Sequence, residues 1–296
     1  KIDKLASGEK EWILTSGWNK SVMNADDYRA YVGGTSGLIY GYVNDGFYKV
    51  EDFEYFDSKS RTWKLKEGVV DSSPLSDTPR PGNAKFKKLT PVDPNSSNPY
   101  QLTEADRTVI GNTTPKFSGG FGLNATYKGF DLSMFFNFMY DFDVFNANKV
   151  MLTTWADNHE NNFGMEVASD KRWRNFDDMG NEIRYSPELL AEFNKNATMW
   201  NPTSIGKPIS MSYAVEDGSF LRLNSATLGY TLPQEWTKKA GLNKVRFYVA
   251  GSNLFTITGY SGYDPEVDIA TGLTPNIDNN RYPRSRTYTF GAQLTF

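Results

Sequence analysis

The chain has 296 residues, a formal net charge of -3, no cysteine and a single histidine, His159, which lies in a polar segment and is expected to be exposed. This composition excludes disulfide scaffolds, thiol nucleophiles and the usual zinc sites, and the lack of a basic stripe argues against nucleic acid as a partner. No window holds the roughly 18 consecutive apolar residues of a membrane helix. The N-terminal segment carries no export signal, which predicts a mature or truncated chain.

The first candidate strand covers residues 10–22. Trp12, Leu14 and Trp18 fall on one face of it, although Ser16 interrupts that face. This pattern predicts a membrane strand whose alternation is weaker than that of the strands further along the chain.

Long connecting segments follow, over residues 23–116, 142–218 and 256–285. The first two are rich in Gly, Pro, Asp, Asn and Ser and contain only short aromatic runs, so we predict long loops there. Within the second loop, Ser186 followed by Pro187 predicts the start of a short helix.

The clearest pattern is a hairpin over residues 117–140, in which every second residue of each half is apolar. A two-residue turn at Lys128 and Gly129, with positive φ at the glycine, pairs Tyr127 with Phe130 and makes the two apolar faces coincide. Strands of about 11 residues with aromatic ends suit a tilted strand that crosses a bilayer. A surface hairpin of a soluble β-sandwich has the same pattern, so the hairpin alone leaves both interpretations open.

Three more strands are predicted over residues 219–232, 244–255 and 286–296. In the first of them the alternation slips near Asn224, as a β-bulge would make it do. The last strand ends on an aromatic residue, which is the assembly signal that bacterial outer-membrane barrels carry as a general family property. The residues of this signal are Tyr288, Phe290, Leu294 and Phe296.

These patterns predict about six strands, with the hairpin strands at residues 117–127 and 130–140. If the hairpin turn lies in the periplasm, the strands alternate in direction, the three long loops lie outside, and both short turns lie inside. Small closed barrels need about eight strands or more. We therefore predict an all-β fold, the C-terminal arc of a large antiparallel transmembrane β-barrel with long extracellular loops.

Several blocks, in order and covering most of the chain, resemble the SusC/RagA-like TonB-dependent outer-membrane transporters of Bacteroidetes. The longest are DRTVIGNTTPKFSGGFGLNATYKGFDLSMFF over residues 106–136, VEDGSFLRLNSATLGYTLP over 215–233, RFYVAGSNLFTITGYSGYDPEV over 246–267 and YPRSRTYTFGAQLTF over 282–296. The resemblance implies a bacterial outer-membrane protein without catalysis. It also implies that the plug domain and the TonB box are absent from this chain.

The resemblance further implies import of oligosaccharides or oligopeptides, together with a SusD-like surface lipoprotein, the TonB system, the N-terminal remainder of the barrel and the lipid bilayer. A TonB-dependent receptor for a siderophore or vitamin is one alternative. A secreted all-β glycan-binding module, soluble without detergent, is an alternative of another class. An outer-membrane hydrolase would need a catalytic constellation that the sequence does not display.

Two sets of residues are candidates for contact with ligand or lid. The first lies on the polar face of the hairpin and consists of Asn124, Asp131, Ser133 and Asn137. The alternative role for this set is to hydrate the barrel wall or to seat the plug. The second set lies in the second long loop and consists of Trp155, Trp173, Trp200 and Tyr213. Their rings suit stacking on sugars or anchoring a lid, and the alternative is that they pack the loop against itself.

Two further groups of residues suggest other chemistry. Asp93, Asn95, Ser97 and Glu104 fall at the first, third, fifth and twelfth positions of a calcium-binding loop. Asn98 replaces the required glycine and Pro99 intrudes, so we expect a plain surface turn, with Ca²⁺ as the alternative. Two acidic pairs, Asp177 with Asp178 and Asp264 with Glu266, are expected to be solvated loop charges rather than an acid/base pair.

Overall fold

A computed structural model describes residues 1–18, 26–155, 163–167, 170–267 and 272–296, so His159 lies outside the described residues. Two compact units make up the chain. The first comprises Lys1–Thr113, Phe145–Glu216 and Asp268–Asn280, and the second comprises Thr114–Val144, Asp217–Val267 and Arg281–Phe296. Among the described residues, no helix is both long enough and apolar enough to span a membrane.

Strands dominate the secondary structure. In chain order they are β1 (Glu11–Leu14), β2 (Tyr28–Tyr31), β3 (Leu38–Gly41), β4 (Asn44–Phe47), β5 (Phe53–Asp57), β6 (Thr62–Leu65), β7 (Ala84–Phe86), β8 (Thr108–Asn112), β9 (Phe117–Tyr127), β10 (Phe130–Tyr140), β11 (Asp143–Asn146), β12 (Val215–Asp217), β13 (Phe220–Thr231), β14 (Lys244–Thr258), β15 (Ile277–Asp278) and β16 (Thr287–Thr295). The α-helices are α1 (Ala147–Thr153), α2 (Pro187–Phe193) and α3 (Gln234–Lys238).

The first unit holds short strands in small sheets. A four-stranded sheet has the order β1-β2-β3-β8, and β4 pairs with β7 and β5 with β6. This arrangement corrects the long strand predicted over residues 10–22. The strand there is only Glu11–Leu14, it pairs with Tyr28–Tyr31, and residues 19–22 lie outside the described part of the chain. Ser16 explains where the strand ends, because its N–H and hydroxyl donate to the buried Asp27 instead of continuing a ladder.

The predicted loops over residues 23–116 and 142–218 contribute to a packed core instead of remaining irregular. Their short aromatic and aliphatic runs bury together in one cluster, because each run is too small to bury its own apolar surface. Members of this cluster include Tyr28, Ile39, Phe86, Phe145, Trp200, Ile209 and Met211. Helix α2 begins as predicted, with Pro187 in its first turn and the Ser186 hydroxyl accepting the N–H of Leu189.

The second unit is one antiparallel sheet of five strands in the order β16-β14-β13-β10-β9. Its hairpin has the predicted register, since Tyr127 lies opposite Phe130, and φ is positive at both turn residues, 45° at Lys128 and 89° at Gly129. The bulge predicted near Asn224 is also present. Phe135 lies opposite Ser225 while Phe136 lies opposite Leu223, which leaves Asn224 as the extra residue.

Candidate functional site

One face of the five-stranded sheet is apolar and exposed. Directly opposite residues of neighbouring strands share a face, and Leu132, Leu228, Val249 and Phe290 form one such row across β10, β13, β14 and β16. Leu228 is 46% exposed and Phe290 is 80% exposed. Aromatic pairs add to this face, with ring centroids 4.9 Å apart for Phe121 and Phe136. An exposed apolar surface of this extent is what a sheet facing lipid presents.

The opposite face carries the four predicted polar residues in rows. Asn124 lies opposite Ser133, which lies opposite Thr227, and Asn137 lies opposite Arg222. The carboxamide oxygen of Asn137 is buried and has no protein hydrogen-bond partner. Whether these side chains contact a ligand stays a prediction.

Asp131 is held by an ion pair that the sequence did not indicate. Arg246 Nε and NH2 donate to its two carboxylate oxygens at 2.9 and 2.5 Å. Asp131 and Arg246 lie on β10 and β14, and β13 runs between them, with Gly229 opposite Asp131. A Cβ at Gly229 would come within 2.4 Å of the Arg246 guanidinium. The Arg246 guanidinium therefore reaches Asp131 because Gly229, on the strand between them, has no side chain.

A second ion cluster surrounds Arg222, whose side chain is only 2% exposed. Its NH1 and NH2 donate to Asp264 at 3.2 and 2.5 Å, and its Nε lies 3.4 Å from Glu266 Oε2. Glu266 also pairs with Arg284 at 3.0 Å. The prediction that Asp264 and Glu266 are solvated is therefore wrong, because the buried guanidinium brings both carboxylates inward. The sequence does offer one signal for this ion cluster, because Arg222 is a single arginine in an apolar strand beside the predicted bulge.

The protonation of Asp264 agrees with this ion cluster. Burial alone raises the pKa of this carboxyl, but the hydrogen bonds from Arg222, from Glu266 N and from Arg284 N outweigh that effect. The net result is a pKa below the ordinary value. Asp264 is therefore ionised at neutral pH and pairs as a carboxylate.

The aromatic residues of the second predicted loop divide into buried and accessible ones. Trp200 is 2% exposed, donates its indole N–H to Thr153 O at 3.1 Å and packs 4.7 Å from the ring of Tyr213. Burial raises the pKa of Tyr213 to about 12. Trp200 therefore packs inside this unit, as the alternative for these aromatic residues holds, and its contact with a ligand or lid stays a prediction.

Trp155 and Trp173 line one open cleft of the first unit, with a volume of about 530 Å³. Trp155 is 37% exposed, and its ring centroid lies 5.6 Å from that of Phe163. Trp173 is 4% exposed and packs against Phe47 at 5.7 Å. Asp177 and Asp178 also line the cleft and are engaged locally, as expected for loop charges, Asp177 by Asn181 at 2.9 Å and Asp178 by Arg174 at 2.6 Å.

The degenerate calcium-type loop is organised by hydrogen bonds. The Asp93 carboxylate accepts the N–H of Asn95, and the buried Asp106 accepts the N–H groups of Leu89, Thr90 and Thr103. Among the described residues there is no group of three or more His, Cys, Asp or Glu side chains placed to hold a metal ion. Asn95, Ser97 and Glu104 are exposed around the same turn. The structure supplies no independent support for Ca²⁺ here.

The four residues of the predicted assembly signal are all exposed. Tyr288, Phe290 and Leu294 lie on the apolar face of β16, and Phe296 follows the strand. Their role in assembly stays a prediction, because exposure and placement suit both membrane contact and recognition.

Comparison with known proteins places this geometry in context. A TonB-dependent receptor P3 from Formosa agariphila is 32% identical over 88% of the chain, and the TonB-dependent receptor SusC from Bacteroides thetaiotaomicron is 37% identical over 28% of it. The chain spans only 22% and 8% of those two proteins. No family model matches the sequence.

A solved structure of the RagAB peptide transporter has the same fold over 99% of the chain, with a TM-score of 0.64 and 21% identity. The match covers 25% of the solved chain. Because the described residues form mostly strands with few helices, and because this neighbour shares their arrangement, the predicted all-β fold class is confirmed.

Proposed function

Because the chain belongs to the SusC/RagA-like TonB-dependent receptors, we propose that it forms part of the wall of an outer-membrane importer driven by the TonB system. The observation that carries this proposal is the five-stranded sheet with one exposed apolar face and one face of polar and ion-paired residues. A barrel wall needs these two faces, one toward lipid and one toward the interior. Transport, not catalysis, is the proposed activity.

The orientation of the sheet follows from its connections. The Lys128–Gly129 turn and the segment around α3 are short, and we place both in the periplasm, as bacterial barrels have short turns there and long loops outside. The segments between β10 and β13 and between β14 and β16 are then extracellular. The plug and the TonB box are proposed to lie outside this chain.

The proposed substrates are oligosaccharides or oligopeptides, taken up together with a SusD-like surface lipoprotein. Support comes from the names of the similar proteins, since one relative is SusC and one structural neighbour is a peptide transporter. Asn124, Ser133 and Asn137 on the polar face, and Trp155 in the cleft, remain the candidates for ligand or lid contact.

The proposal is tested by isolating the protein from native outer membranes. An affinity tag is inserted at Lys59, which is exposed in the turn between β5 and β6. Extraction in mild detergent is expected to recover a much larger polypeptide together with a surface lipoprotein. Uptake of the substrate is expected to stop in a strain without TonB. Recovery of a soluble chain without detergent contradicts the proposal. Uptake of an iron chelate alone would instead support the alternative of a siderophore receptor.

A further inference from the structure

The cleft of the first unit has the size and lining of a ligand site. Its volume of about 530 Å³ lies within the range of small-molecule sites in proteins. Three aromatic rings on its wall remain accessible, with Trp155 and Phe163 each 37% exposed and Phe176 47% exposed. Exposed rings beside a cleft, in a unit whose other described aromatic residues are mostly buried or half-buried, offer flat apolar faces to a ligand.

Planar polar groups also line the cleft. The carboxamide oxygen of Asn201 accepts the N–H and the hydroxyl of Thr203 at 3.1 and 2.9 Å, which leaves the carboxamide N–H donors of Asn201 for a ligand. Asn175 also lines the cleft. Flat rings together with amide groups suit a sugar ring, which has apolar C–H faces and hydroxyls around its edge.

Two charged residues of the described lining have no ion-pair partner, Asp177, whose carboxylate accepts hydrogen bonds from Asn181, and Arg172. Arg174 pairs with Asp178 at 2.6 Å, and Arg184 pairs with Glu182 at 2.6 Å. Arg172 donates only to a backbone oxygen, that of Val167, at 3.3 Å, and no carboxylate pairs with it among the described residues. Its guanidinium is the cation of the described lining that has no carboxylate partner, and a guanidinium binds a carboxylate through two parallel hydrogen bonds.

We propose that this cleft binds an acidic oligosaccharide, with the Arg172 guanidinium on the carboxylate of a uronate residue and Trp155, Phe163 and Phe176 against sugar faces. This inference rests on the proposed transport function and narrows its substrate class. A peptide with an acidic side chain also offers a carboxylate, but it lacks the flat C–H faces that match the exposed rings.

The test uses the purified full-length transporter in detergent and isothermal titration calorimetry. The probes are oligomers of galacturonate, glucuronate and mannuronate, each as the free acid and as the methyl ester, together with an oligoglutamate peptide. We expect at least one free acid to bind about tenfold or more tightly than its ester, because the ester keeps the sugar faces and removes the charge. Failure of every free acid to bind more tightly than its ester overturns the proposal, and so does tighter binding of the peptide.

Variants then locate the site. Arg172→Gln is expected to weaken binding of the acid by about tenfold or more and to abolish the preference over the ester, while Arg172→Lys keeps part of that preference. Lys171→Gln is the matched control, because Lys171 is exposed, adjacent and outside the cleft lining. Trp155→Ala is expected to weaken the acid and its ester equally. Equal losses from Arg172→Gln and Lys171→Gln contradict the proposal.

Failure of this inference is separable from failure of the transport function. If the protein is recovered from membranes with its lipoprotein and imports a substrate, yet Arg172→Gln binds every probe as the wild type does, only the cleft assignment is wrong. If no import occurs and the uronate preference persists, only the transport function is wrong.

Discussion

Two buried aspartates of the first unit have opposite acidities, and the difference lies in their hydrogen bonds. Asp27 is 2% exposed and accepts hydrogen bonds from Ser16 and from its own backbone N–H, but burial dominates and raises its pKa to about 6. Asp106 is 0% exposed, but three backbone N–H groups and two threonine hydroxyls outweigh the effect of burial and lower its pKa to about 2.

These acidities predict a stability that depends on pH. The contribution of Asp106 is fully present above about pH 4, the unfolded pKa, and is lost as the pH falls toward 2. Asp106→Asn is expected to lose about 2 kcal/mol at pH 7 and to flatten the acid limb of a thermal unfolding series followed by tryptophan fluorescence. Asp93→Asn is the control, because Asp93 is exposed. An unchanged acid limb in Asp106→Asn contradicts the prediction.

The contribution of Asp27 to stability has the opposite dependence on pH. The raised pKa of Asp27 gives a contribution to stability that is fully present below about pH 4, the unfolded pKa, and is lost as the pH rises through 6. The stability of the first unit is therefore expected to pass through a maximum between the two transitions, since one carboxylate loses its contribution on the acid side and the other on the neutral side.

Arg222 is the residue on which the second ion cluster depends. Arg222→Met removes the guanidinium partner of the buried Asp264 and leaves Glu266 with Arg284 alone, and breaking a buried pair in this way costs about 3–5 kcal/mol. We expect a lower temperature for the heat-induced mobility shift of the full-length protein on gels. Arg286→Met, at an exposed arginine, is the control. Equal shifts for both variants would show that the cluster contributes nothing.

At the scale of elements, alternation and turn chemistry were enough to predict the long hairpin. Strands β9 and β10 have the bounds predicted from the sequence, because one face must be apolar throughout and the period of two allows one register only. Short strands were missed in the first unit. Strands of five residues or fewer show little alternation, and their pairing depends on distant partners such as Phe145 opposite Ile277.

The hairpin turn offers a direct test of backbone strain. At Gly129 φ is +89°, and an added Cβ would lie 2.9 Å from Thr231 O, so Gly129→Ala is destabilised both by the left-handed backbone and by the contact. Gly241→Ala is destabilised by the backbone conformation only, because φ is +73° and nothing lies within 4 Å. We expect Gly129→Ala to be less stable by about 1–2 kcal/mol and Gly241→Ala by less, as measured by urea unfolding from vesicles. Equal losses of stability in the two variants would show that the contact with Thr231 O does not destabilise Gly129→Ala.

At the scale of the whole molecule, the two faces of the sheet predict opposite responses to charge. Leu228→Arg places a cation on the apolar face and is expected to cost about 2–4 kcal/mol near the bilayer midplane. Thr227→Arg, the neighbouring residue on the opposite face, is expected to cost far less. The amount of each full-length variant assembled in outer membranes measures the difference. Equal assembly of both variants would exclude a lipid-facing side for Leu228.

The sequence by itself determined the long strands, their faces, the bulge at Asn224 and the resemblance to TonB-dependent receptors. These features are local, since alternation and turn residues act over a few positions. Only the tertiary structure decided the roles of single side chains. Arg222 on β13 pairs with Asp264 in the segment after β14, Arg246 on β14 pairs with Asp131 on β10, and Trp200 is buried by residues far along the chain. Such contacts depend on which distant segments pack together, and the spacing of residues along the sequence does not predict that packing.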